Sequence, residues 1–157
     1  MTLLSGIHHA AVMTKDLDRF VAFYSDVFGA EVVFRESVPG LRHAILRIGS
    51  GIVLHPAEVP GSPDGEGRAE MFARGHLDHL GLNAGSREAL LELRLRLMAA
   101  GATDGEISDL GPQWCLWFRD PDGMRAEVCW TRDPTLRGYH APQPLGLEAL
   151  DQGARLD

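Results

Sequence analysis

Residues 6–34 and 76–103 carry the same pattern, so whatever this chain folds into must accommodate two copies of one unit. The first copy, GIHHAAVMTKDLDRFVAFYSDVFGAEVVF, opens with an apolar run at 7–13 that reads as a strand. A polar break follows, in which Thr14 or Asp16 can cap a helix by accepting from its free N–H groups. Leu17, Phe20, Val21, Tyr24, Val27 and Phe28 then recur at spacings of three and four, which predicts one apolar helix face. Gly29 is the expected stop, because glycine takes positive φ without strain. The second copy, HLDHLGLNAGSREALLELRLRLMAAGAT, repeats this with a strand at 79–83 and a break at Ala84-Gly85-Ser86. Its helix has Leu90, Leu93, Leu97 and Met98 on one face and a stop at Gly101. An offset of 70 residues places His79 on His9 and Ser86 on Asp16.

Each copy continues with extended segments, at 32–37, 42–48 and 52–55 in the first and at 106–110, 113–119 and 125–130 in the second. Asp120-Pro121-Asp122-Gly123 is a strong turn between the last two. Each half therefore reads βαβββ. The expected fold is α+β, with two tandem βαβββ modules forming an open, cupped, mixed sheet with helices outside. One domain is expected over 1–132, built from module 1 (6–56), linker 57–75 and module 2 (76–132), with an extension at 133–157. The Pro- and Gly-rich stretch that joins the modules is long for a connection inside a compact domain, which suits a segment that covers a site.

Composition narrows the function classes. The 157 residues carry 22 acidic and 15 basic side chains, for a formal charge of −7. Nucleic-acid binding needs clustered Lys and Arg, and only Lys15 is a lysine, so neither nucleic acid nor an anionic membrane is an expected partner. No apolar run is long enough to span a bilayer, and 1–13 lacks the basic start and long apolar run of a signal peptide. A cytoplasmic location is expected. Cys115 and Cys129 are too few for a disulfide framework and are expected as a reduced pair on neighbouring strands, without the CxxC spacing of metal ligands.

The chemistry centres on histidine. There are seven: His8, His9, His43, His55, His76, His79 and His140. A lone histidine is more often structural than a ligand, but His9 and His79 hold equivalent places in the repeat. Two equivalent imidazoles aimed into one shared cavity suit a divalent first-row metal. Strand alternation prevents His8 and His9 from facing the same way, and the repeat selects His9. His76 precedes the strand, so His79 is preferred. A charged third donor is expected at Glu127, on a strand whose neighbours Ala126 and Val128 are apolar. An unpartnered carboxylate there costs several kcal/mol, of order 2–7 for a buried polar group. A metal resolves that conflict, and so does an arginine such as Arg47 or Arg125. Two His and one Glu leave coordination positions open for substrate or oxygen. The position matching Glu127 in the first module is Ile52, Leu54 or His55, depending on how the strand is aligned.

With these residues in place the chain resembles the vicinal oxygen chelate superfamily, which includes glyoxalase I, extradiol dioxygenases, fosfomycin-resistance proteins and bleomycin-resistance proteins. The pieces that carry the resemblance are HHAAVMTKDLDRFVAFYSDVFG, DHLGLN and FRDPDGMRAEV, spread over about residues 6–131. The resemblance implies paired modules around a metal, held by His9, His79 and Glu127. It departs at the fourth position, where glyoxalase I-like members have a glutamate, and this argues against a glutathione hemithioacetal as substrate. It implies a small-molecule substrate and a divalent ion, Fe2+ first, with Mn2+, Ni2+ or Zn2+ as alternatives. An extradiol-type ring-cleaving dioxygenase is the sharpest reading. A metal-dependent isomerase, lyase or thiol transferase, or a metal-free bleomycin-resistance-like binding protein, are the others. No motif assigns a general base, for which His55, Tyr139 and His140 are candidates. Trp114, Trp117 and Phe72 line either a pocket or the core. A homodimer is compatible with the paired modules.

Overall fold

The computed structural model describes residues 8–63, 77–136 and 138–146. Its elements run β1 (Ala10–Met13), α1 (Leu17–Phe28), β2 (Glu31–Val38), β3 (Leu41–Ile48), β4 (Ile52–Glu58), β5 (Leu80–Asn83), α2 (Arg87–Ala99), β6 (Ile107–Asp109), β7 (Gln113–Arg119), β8 (Arg125–Thr131) and β9 (Gln143–Pro144). They form an α+β fold with two open mixed sheets. One has the order β1-β4-β3-β2 and the other β5-β8-β7-β6-β9. In each, the first strand of the module pairs parallel with the last, and the remaining module strands pair antiparallel. The repeat in the sequence is thus a repeat in topology.

The chain divides into two compact units. One is Met1–Ala73 with the turn Asp120–Gly123, and the other is Arg74–Arg119 with Met124–Asp157. In the first, α1 buries Leu17, Phe20, Val21, Tyr24 and Val27, and the sheet buries Ala44, Leu46, Leu54 and Pro56. The helix starts where predicted. Asp16 is the cap, and its side chain accepts from the Arg19 N–H at 3.0 Å. The Glu58 carboxylate accepts from the Leu17 N–H at 2.8 Å, placing negative charge at the positive end of the helix. Thr14, the other capping candidate, instead donates to Asp122 at 2.6 Å and so ties down the Asp120–Gly123 turn. Gly29 stops the helix at φ +66°.

In the second unit Ser86 caps α2, accepting from the Ala89 N–H at 3.1 Å. Leu90 and Leu97 are buried beneath it. The predicted face is narrower than the spacing suggests, because Leu93 is only half-buried and Met98 is exposed. The short helix-facing strand residues Leu82, Ile107, Leu116, Phe118, Ala126 and Val128 complete this core. Two further differences from the sequence reading stand out. The strands at the module starts begin at Ala10 and Leu80, so His9 and His79 lie just before them. The tail also returns as β9, an antiparallel neighbour of β6, which no sequence pattern announced.

Candidate metal centre

β5 and β8 are parallel neighbours, with Gly81 opposite Glu127. Alternation sends Ala126 and Val128 into the helix-side core and leaves Glu127 and Cys129 on the other face, both half-buried. His79 meets Glu127 across this face, with Nε2 at 3.5 Å from Oε1. The side chains are 30% and 13% exposed, enough for a small ligand to reach the histidine. Gly81 leaves space above the carboxylate, since a Cβ there would stand 3.5 Å from Oε1. Trp117, directly opposite Glu127 on β7, packs its ring edge to face with His79 at 4.9 Å between centroids.

The other ring nitrogen of His79 is held by Asp78, Nδ1 to Oδ2 at 2.8 Å. That hydrogen bond keeps the proton on Nδ1 and turns the Nε2 lone pair toward Glu127. Two acceptors 3.5 Å apart repel unless a cation lies between them, either a proton on the imidazole or a metal ion. Two donors each about 2.1 Å from one ion at a tetrahedral angle stand about 3.4 Å apart, close to the spacing found. The donor set therefore fits a divalent metal. Asp78 was not singled out from the sequence, although its adjacency to His79 in DHLGLN was the available signal. Of the arginines considered as partners for Glu127, Arg47 bonds Glu31 at 2.7 Å, and Arg125 stands opposite Arg119, two residues before Glu127 on β8.

His9 belongs to the first unit. Its Nδ1 lies 2.8 Å from that of His8. The alternation that was to separate these two rings does not apply, because neither residue is in a strand. His9 also meets His55 edge to face at 5.8 Å between ring centroids. His55 is the exposed-face residue of β4 opposite Ala11, whereas Leu54 is fully buried on the helix side and does not face the same way. A chain of bonds extends from His55 to His43 (3.0 Å) and from His43 to Glu36 (3.1 Å). Burial, then the neighbouring His43 and His9, hold the His55 imidazole below the usual histidine value. The structure therefore brings Glu127 and His79 together in one unit and gathers His9, His55 and His43 in the other.

Cys115 and Cys129 are directly opposite each other on β7 and β8, on the strands expected. Their sulfurs and the Glu127 carboxylate lie within 4.8 Å of one another. The bond with Cys115, then burial and the Glu127 carboxylate, push the Cys129 thiol up and keep it protonated. The two tryptophans divide: Trp114 is buried beside Trp130, while Trp117 joins the site face. Tyr139 is exposed, and His140 bonds the Ala141 carbonyl and lies 3.7 Å from Asp109. Phe72 and His76 lie outside the described residues.

A family model for the Glyoxalase/Bleomycin resistance protein/Dioxygenase superfamily matches residues 6–128. Among solved structures, a glyoxylase/bleomycin resistance protein/dioxygenase domain from Frankia sp. EAN1pec is similar at 27% identity and a TM-score of 0.69, covering 82% of this chain and 99% of that one. Lactoylglutathione lyase from Agrobacterium tumefaciens is similar at 24% identity and a TM-score of 0.57, over 82% and 96% of the two chains. The fosfomycin resistance protein FosX from Listeria monocytogenes, solved with Mn(II) and sulfate, is similar at 20% identity and a TM-score of 0.59, over 82% and 93%. No curated protein matches the chain.

Proposed function

The chain belongs to the glyoxalase/bleomycin resistance protein/dioxygenase superfamily, and from that premise we propose that it is a metal-dependent enzyme in which His9, His79 and Glu127 hold a divalent ion. The observation that carries the reading is the convergence of His79 Nε2 and Glu127 Oε1, with Asp78 fixing the far side of the ring. The Mn(II) held by FosX agrees with a divalent ion on this fold. Three protein donors leave positions for two adjacent oxygens of a small substrate. A bound divalent ion supplies Lewis acidity there and, as Fe(II), the electron transfer that dioxygen chemistry requires.

The chain's own residues have separate tasks. Asp78 holds the His79 proton at Nδ1, so that Nε2 stays a donor. Glu127 supplies the negative charge that offsets a dication. Trp117 walls one side of the histidine and offers an aromatic surface to a flat substrate. An extradiol-type ring-cleaving dioxygenase with Fe(II) is the sharpest form of this proposal. The test is oxygen uptake and ring-cleavage absorbance with a panel of catechols, after anaerobic loading with Fe(II). Uptake that is absent in His79→Ala supports it.

The second reading is an isomerase, lyase or thiol transferase at the same three residues, and the likeness to lactoylglutathione lyase and FosX favours it. Turnover of an epoxide or thiol-adduct substrate with Mn(II), without oxygen uptake, would select it. The position facing outward on β4 is His55 and not a carboxylate, which weighs against the glutathione hemithioacetal reaction itself.

A further inference from the structure

We propose that Cys115 and Cys129 are a modification site, a cross-strand thiol pair that a peroxide converts to an intramolecular disulfide beside Glu127. The two residues are in direct register on antiparallel strands. Residues so placed have Cα atoms about 4.5–5.5 Å apart, inside the span a disulfide bridges, so closure needs no backbone movement. The two sulfurs are immediate neighbours, and both cysteines are free. The Gln113 side-chain amide caps the pair, with its nitrogen 3.1 Å from the Cys115 sulfur and 3.7 Å from that of Cys129. Cys115 is fully buried, while Cys129 is half-buried on the same face as Glu127.

That asymmetry sets the order of events. Peroxide meets Cys129 first, as the more exposed sulfur; only its deprotonated form attacks one oxygen of hydrogen peroxide, so this step is slow, and the O–O bond breaks. The products are a sulfenic acid on Cys129 and one water. The Cys115 sulfur then attacks the sulfenic sulfur. The S–S bond forms, the S–O bond breaks, and a second water leaves with the Cys115 proton. Two thiols and one peroxide become one disulfide and two waters. A reducing compartment returns the pair to thiols, so both states are accessible to one protein.

The experiment uses the full chain in a metal-chelating buffer, treated with hydrogen peroxide, denatured, alkylated and weighed intact. The expected result is a monomer lighter by two hydrogens, with neither cysteine alkylated, and full recovery of both by a dithiol reductant. Cys115→Ser should instead stop at a Cys129 sulfenic acid, trapped by a cyclic dione. Persistence of two alkylatable thiols in the wild-type chain overturns the proposal. So does oxidation of Cys129 alone to higher acids, or a disulfide only between chains. None of these outcomes depends on whether a metal binds at His79 and Glu127, so the two readings fail separately.

Discussion

Asp78 bonds the far side of the His79 ring, which gives it a measurable effect on metal affinity. A carboxylate behind a ligating imidazole sets its tautomer and basicity. Asp78→Asn should weaken divalent-ion binding about 10–100-fold while leaving the fold intact. Titration of Mn(II) into the wild type and the variant checks this. Tyr24 makes a prediction of opposite sign. Its ring is fully buried against Phe20 and Phe28, and its hydroxyl has no hydrogen-bond partner among the described residues. Burial, then the Asp120 and Asp122 carboxylates, push that phenol far above its usual range, so it stays protonated. Tyr24→Phe removes an unsatisfied buried group and should raise the urea midpoint by the equivalent of about 1 kcal/mol. At this scale the sequence pointed to individual residues but not to what surrounds them. His79 and Glu127 could be singled out from the repeat and from one charge in an apolar strand. Gly81 and Trp117 act through placement opposite Glu127, which register alone fixes, whereas Asp78 adjoins His79 in the sequence but only the fold turns it behind the ring.

Several local interactions converge on the start of α1. Asp16 caps it, Glu58 accepts from its first N–H, and Asp18 in its first turn bonds Arg42 at 2.6 Å and also Arg35. Asp16→Ala should cost about 1 kcal/mol in chemical denaturation, as loss of a cap does. Asp18 gives this element a pH dependence. The Arg42 bond first, and then Arg35, hold its carboxyl below the usual value of 3.8. Below that value the unfolded chain takes up a proton that the folded chain still refuses. The contribution is therefore complete above that pH and is lost as pH falls through the lowered folded value. Asp18→Asn should consequently show a smaller drop in urea midpoint between pH 7 and pH 3 than the wild type. The elements themselves were legible because each helix carries a cap, an apolar stripe and a glycine stop at φ +66°. The strand starts were less so. His8 and His9 precede the strand, which starts at Ala10, and this undid the alternation argument about them. β9 was invisible because two residues paired through backbone groups leave no side-chain pattern.

At the scale of the whole molecule, one repeated unit explains the two sheets, their shared strand order and the matching places of His9 and His79. The same repeat explains what differs between the units. Glu127 on the last strand of the second module has no acidic counterpart on β4, where His55 faces outward. Among the described residues no helix is long and apolar enough to cross a membrane. Family membership and fold could be read from the paired motifs because those motifs are the caps, stops and turns that build each module. Reaction and metal could not, because they depend on what completes the shell around the three proposed ligands. The most direct measurement is the metal content of protein purified without chelators or a histidine tag, beside His79→Ala. Close to one divalent ion per wild-type chain is expected, and its loss in the variant. A wild-type chain that binds no iron, manganese, nickel or zinc, even after reconstitution, would contradict the proposal.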